Sequence, residues 1–105
     1  MNAMYKKLIE AANKKILFLP HAIKQMSRSD RMISRDEVRE AIFFGEIIEN
    51  YPNDKRGESC LIMKSGKAGR IIHVVCAPKE DFVAVLTAYL PSPAQWSLNF
   101  KERKK

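Results

Sequence analysis

Arg70-Ile71-Ile72-His73-Val74-Val75-Cys76-Ala77, then Pro78-Lys79-Glu80-Asp81, then Phe82-Val83-Ala84-Val85-Leu86-Thr87-Ala88-Tyr89-Leu90 is the stretch on which the fold turns. The first run is rich in β-branched residues, and the last is apolar for nearly its whole length. Two such runs joined by a few turn residues predict an antiparallel hairpin. Both are apolar at odd and even positions, so both faces are expected to be covered, as in central strands. Polar side chains are conspicuous in that setting. Apart from Arg70 at the entry, they are His73, Thr87 and Tyr89. Side chains alternate along a strand. A pairing of Ala77 with Val83 would set His73 opposite Thr87 and Ile71 opposite Tyr89, with all three polar groups on one face. A slip of one residue would part them.

Working back from the hairpin, Glu46 to Tyr51 and Ser59 to Met63 read as two further strands. A charged turn, Pro52 to Gly57, separates them, and the loop Lys64 to Arg70 leads into the hairpin. Ile33-Ser34-Arg35-Asp36-Glu37 is a helix start. Ser34 can cap it and Glu37 completes a capping box, while Ile33 can staple to Val38. Val38, Ala41 and Ile42 form its inward stripe. Gly45 is expected to end it in a left-handed conformation. A short helix from Pro20 to Ser27 would place Ala22, Ile23 and Met26 on one side and His21, Gln25 and Arg28 on the other. Asn2 to Asn13 reads as an N-terminal helix. Ile16-Leu17-Phe18-Leu19 is too short to type by periodicity. Trp96 is expected to dock on the sheet. The fold class is therefore α+β, with N-terminal helices packed on a four-stranded, mostly antiparallel sheet. Residues 1–15 read as a helical extension, 16–100 as one domain and 101–105 as a basic tail.

A chain of 105 residues with 46% hydrophobic content suits one globular domain. No apolar run approaches the ~20 residues of a membrane span, and no h-region follows the N-terminus. The expectation is a cytoplasmic protein without membrane attachment. Cys60 and Cys76 fall in apolar strands and read as buried free thiols, with a disulfide the lesser reading. The net charge is +7, which favours polyanionic partners. The last five residues supply +3 of it (four cations less Glu102).

No metal-ligand spacing, Walker loop or serine elbow is present, so neither a cofactor nor a metal is expected. What remains is a set of His, Arg, Lys and Tyr groups of the kind that metal-free RNA cleavage uses. A base takes the ribose 2′-hydroxyl proton, an acid protonates the leaving 5′-oxygen, and cations hold the phosphate charge. The candidates are His21, Arg28, Arg31, His73, Thr87 and Tyr89, with Lys64, Lys67 and Arg70 guiding RNA. Base and acid are not divided between the two histidines. Each residue also has a structural role open to it: His73 as a hydrogen-bonded core group, the cations as solvated surface.

Leu19-Pro20-His21-Ala22, Arg28, Arg31 to Val38 and Gly45 to Pro52, followed by Ile72 to Val75, Thr87 to Pro91 and Trp96, resemble the DUF4258 family in order and spacing. The resemblance covers about Phe18 to Arg103. It implies a fold similar to RelE and barnase-type toxins, with His21, Arg28, His73, Thr87 and Tyr89 lining the site. It further implies RNA as substrate, the ribosome as one setting, and an antitoxin protein as partner. The rival expectation is a non-catalytic RNA-binding or protein-interaction module, in which His73 would be dry and buried. A third is a dimer joined through Phe43 and Phe44.

Overall fold

The computed structural model describes residues 3–104; Met1, Asn2 and Lys105 lie outside it. The chain runs α1 (Ala3–Lys14), β1 (Ile16–Phe18), α2 (Pro20–Met26), α3 (Arg35–Phe44), β2 (Glu46–Tyr51), β3 (Ser59–Ser65), β4 (Ile71–Pro78) and β5 (Val83–Tyr89), with a short 3-10 turn at Lys67–Gly69. The class is α+β. The sheet has five strands, not four, in the order β1-β5-β4-β3-β2, and it is mixed. The additional strand is the untyped run Ile16–Phe18. It pairs parallel with β5 through Ile16↔Val83, Leu17↔Ala84 and Phe18↔Val85. A three-residue edge strand has no periodicity to read, and its partner lies far along the chain.

The helices cover one face of the sheet. In α1, Met4, Leu8, Ala11 and Ala12 recur at helical spacing and are all buried. They join Val38, Ala41 and Ile42 of α3 and Cys60, Ile62, Ile72, Val74, Cys76, Val83 and Val85 of the sheet in one core. Truncating the fully buried Leu8 to Ala would cost about 2–5 kcal/mol. In α2, Ala22 and Met26 are buried, whereas Ile23 is 38% exposed.

The capping box forms as expected. Ser34 Oγ accepts from the Glu37 N–H at 3.0 Å, and Glu37 Oε1 accepts from the Ser34 N–H at 3.1 Å. Gly45 does not end α3 in the left-handed region, since its φ is −81° and its ψ −178°. Glycine is required there for space: a Cβ would lie 2.4 Å from Ala41 O, 2.5 Å from Ile62 Cγ2 and 2.9 Å from Met63 O.

Two bulges decide which side chains reach the face away from the helices. In β5, Ala77 pairs with Ala84 and Cys76 with Val85, but Val75 pairs with Thr87, leaving Leu86 as an extra residue. The expected Ala77↔Val83 register is therefore displaced by one residue at the turn and by a second at the bulge. His73 pairs with Tyr89, not Thr87. Extending the Ala77↔Ala84 register without the bulge would set His73 opposite Ala88 and turn Tyr89 to the helix side. In β2, Ile47 pairs with Ile62 and Glu49 with Leu61, leaving Ile48 extra. Without that bulge, Glu49 and Tyr51 would point into the helical core.

Candidate functional site

The outer face of the sheet thus carries His73 and Val75 from β4, Thr87 and Tyr89 from β5, Leu61 from β3, and Glu49 and Tyr51 from β2. The C-terminal segment lies over this face. His73 is 0% exposed. Its Nε2 lies 2.8 Å from the Phe100 carbonyl, and its Nδ1 lies 3.3 Å from the Tyr89 hydroxyl. A carbonyl only accepts, so Nε2 carries the proton, and Nδ1 accepts from Tyr89. The Trp96 ring meets the imidazole edge-on at 4.5 Å between centroids. Burial pushes the His73 pKa down, outweighing the Phe100 hydrogen bond and the Glu49 charge, which favour the cation. The imidazole is therefore neutral, a single fixed tautomer.

Beside it, Arg103 grips Glu49 with two hydrogen bonds, Nε to Oε2 at 2.9 Å and Nη2 to Oε1 at 3.1 Å. The same guanidinium stacks on Trp96 at 4.7 Å. Tyr51 donates to Glu49 Oε1 at 2.5 Å. Burial pushes the Glu49 carboxyl up, but the hydrogen bonds from Arg103 and Tyr51 outweigh it and hold the group below the usual carboxylate value. Burial and the Glu49 contact push the Tyr51 phenol up to about 12. Burial also raises Tyr89, and Arg103 and Arg31 lie near enough to oppose that rise.

The nine residues expected from sequence are dispersed. His73 and Tyr89 are in contact, with Thr87 on the same face and Arg31 within electrostatic reach of Tyr89. His21 is exposed on α2, and no hydrogen bond, ion pair or ring contact links it to this cluster among the described residues. Arg28 is bound to its neighbour Asp30 at 3.1 Å on the surface. Arg31 donates to Gln25 Oε1 at 2.8 Å. Lys64 pairs with Ile72 and so faces away from His73. Lys67 is exposed, and its backbone N–H donates to Glu37 Oε2 at 3.1 Å. Arg70 is a clamp: it pairs with Glu37 at 2.8 Å and donates to the carbonyls of Arg31 and Met32.

Sequence reasoning missed Glu49, Tyr51 and Arg103. Glu49 and Tyr51 stand two apart in an apolar strand, the alternation that marked Thr87 and Tyr89. Arg103 had no signal, because a cation in a basic tail reads as solvated. Three surface hollows, of 410, 370 and 300 Å³, lie elsewhere on the molecule, and His73 lines none of them. No group of three or more His, Cys, Asp or Glu side chains forms a metal-ligating set among the described residues. Cys60 and Cys76, both free, face each other across β3 and β4 with their sulfurs 4.0 Å apart, on the helix side. No helix of the described residues is long and apolar enough to cross a membrane.

The model of the family described as "Domain of unknown function (DUF4258)" matches residues 18–90. The chain belongs to the DUF4258 family. The match spans β1 to β5 apart from the first two residues of β1, and it contains His73, Tyr89, Glu49 and Tyr51. It leaves out α1, Trp96 and Arg103 of this DUF4258 protein. No curated protein and no solved structure matches the chain.

Proposed function

We propose that this DUF4258 domain is a toxin-like, metal-free endoribonuclease that acts on the outer face of its sheet. The observation that carries the reading is the pair of bulges. One turns Tyr89 onto the face of His73, and the other turns Glu49 and Tyr51 onto the same face. Bulges concentrate beside active sites, where they re-aim side chains. The resulting set holds a carboxylate, an imidazole, two phenols and a nearby guanidinium, which are the groups that the chemistry needs.

Glu49 takes the 2′-hydroxyl proton as the 2′-oxygen attacks phosphorus. The bond from phosphorus to the 5′-oxygen breaks, and His73, charged once it meets water, returns a proton to that oxygen. Arg31 holds the phosphate oxygens, and Tyr89 orients the imidazole through Nδ1. The products are a 2′,3′-cyclic phosphate and a 5′-hydroxyl.

A second reading, a non-catalytic RNA-binding module, is favoured by one observation: the imidazole is fully buried, with both nitrogens engaged. The net charge of +7 suits RNA under either reading. Long incubation of the protein with RNA in chelator separates them. Cleavage leaving cyclic phosphate ends, lost in both Glu49→Gln and His73→Ala, supports the enzyme. Salt-dependent RNA binding with no cleavage supports the module, and equal cleavage by all three proteins would overturn the nuclease assignment.

A further inference from the structure

The outer face is closed by residues 92–104, and the manner of closure is unusual for a core segment. Among the described residues, every backbone-to-backbone hydrogen bond of this segment is internal: Gln95 and Trp96 N–H to Ser92 O, Ser97 N–H to Glu102 O, Phe100 N–H to Ser97 O, and Lys104 N–H to Gln95 O. Trp96 and Arg103 bridge as an antiparallel pair. Among the described residues, no backbone-to-backbone bond joins the segment to a strand. It folds on itself, and its ties to the body among the described residues include four: the Phe100 carbonyl on His73, the Trp96 ring on the same imidazole, Arg103 on Glu49, and Lys101 on Glu46 at 2.9 Å.

Two of the four are ion pairs with exposed cations, which salt and competing anions weaken. Phe100, whose carbonyl caps the imidazole, holds a φ of 58°, a conformation that costs a bulky residue energy and persists only where contacts enforce it. Pro91 just before the segment and Pro93 at its start stiffen its point of departure from β5.

We propose that residues 92–104 are a releasable strap that holds the outer-face site shut by occupying its two proton-transfer groups at once. Arg103 covers the carboxylate and Phe100 the imidazole. The inference rests on the ribonuclease reading for what opening achieves, but not for whether the strap opens. An RNA backbone supplies the anions that can draw Lys101 and Arg103 off Glu46 and Glu49, so the substrate class itself favours release.

The test uses Trp96→Ala and Arg103→Ala in the full chain, with far-ultraviolet circular dichroism to establish that each is folded. Diethylpyrocarbonate modification of His73 is read against His21, whose exposure on α2 provides an internal standard. In the parent, His21 should react and His73 should be at least tenfold slower. In Arg103→Ala, which removes the Glu49 pair and the stack on Trp96 but leaves the indole itself in place, His73 should approach the His21 rate, and RNA cleavage in chelator should rise about tenfold. If Trp96→Ala is unfolded, Arg103→Ala and parent protein in rising salt carry the test alone. Opening of His73 without cleavage would leave the strap standing and remove the nuclease. Cleavage by the parent that neither variant nor salt increases, with His73 still unreactive, would overturn the strap and leave the nuclease.

Discussion

Arg70 and Glu37, thirty-three residues apart, form the joint between the helical layer and the sheet. One guanidinium meets the Glu37 carboxylate at 2.8 Å and spans the carbonyls of Arg31 and Met32. Glu37, itself buried, also completes the α3 capping box. Met32 holds a φ of 49° in this link. Arg70→Ala therefore strips a buried carboxylate of its counter-cation, leaving it only the Ser34 and Lys67 N–H groups, and takes the guanidinium donor from two carbonyls. Urea unfolding should show a loss of about 3 kcal/mol. Arg70→Lys should recover only part of it, because an ammonium lacks the planar fork. A loss below 0.5 kcal/mol for Arg70→Ala would show this to be an ordinary surface pair.

Gly45 and Gly69 should fail for opposite reasons when changed to alanine. At Gly45 the conformation suits any residue, but the added carbon strikes two carbonyls and a methyl group. The expected cost is about 1–3 kcal/mol, as for overpacking. At Gly69 nothing lies within 4 Å, but φ is +75°, and the cost is about 1–2 kcal/mol of backbone strain. Gly69→Asn should recover stability relative to Gly69→Ala, while Gly45→Asn should be worse than Gly45→Ala. The reverse order would contradict both assignments.

Stability should depend on pH through His73. Its folded pKa lies below the free value of 6.5, with burial as the main cause. The folded protein then binds fewer protons than the unfolded chain. Stability is full above 6.5 and falls as pH drops through the folded value. Glu49 and Glu37 are also lowered, from 4.5, so their losses begin in a separate, more acidic window. Denaturant midpoints of parent and His73→Gln should converge as pH falls from 7 towards the carboxylate range. Parallel curves throughout would mean that the ring takes its proton without disturbing the fold.

Cys60 and Cys76 should resist thiol reagents in the native protein. Both are fully buried, and the Cys76 thiol is pushed well up by its contact with Cys60 and by burial. Reaction with a bulky aromatic disulfide should follow the unfolding rate and accelerate sharply in urea. Rapid modification of either thiol in native buffer would place it on a face open to solvent.

Local chemistry carried the parts of the fold that the sequence revealed. Ser34 and Glu37 announced α3, and the β-branched runs announced β4 and β5. Information of longer range was hidden. The parallel pairing of β1 with β5 depends on an edge being free after the rest of the sheet has formed, and three residues cannot encode that. The bulges at Ile48 and Leu86 have no glycine or turn residue to mark them, so the sequence carries no sign of the true register or of the face that Glu49 and Tyr51 reach. The expected placing of His73, Thr87 and Tyr89 on one face survives, with His73 opposite Tyr89 instead of Thr87, only because the turn and the bulge each shift the register by one residue. The clamp that Arg70 forms is invisible in the sequence because its partners, Glu37 and the carbonyls of Arg31 and Met32, lie in a different layer.

The first helix draws one more consequence from the packing. Leu8, Ala11 and Ala12 sit against β4 and β5 and share a single core with strands inside the matched region, although the match begins at residue 18. At the other end, the indole that seals the imidazole lies past residue 90. A protein trimmed to the recognised borders would lose a wall on each side of its sheet and two of the three residues of the edge strand that precedes α2. It would present bare valine and isoleucine to water and aggregate. The region by which this chain is classified is thus narrower than the region that must fold together.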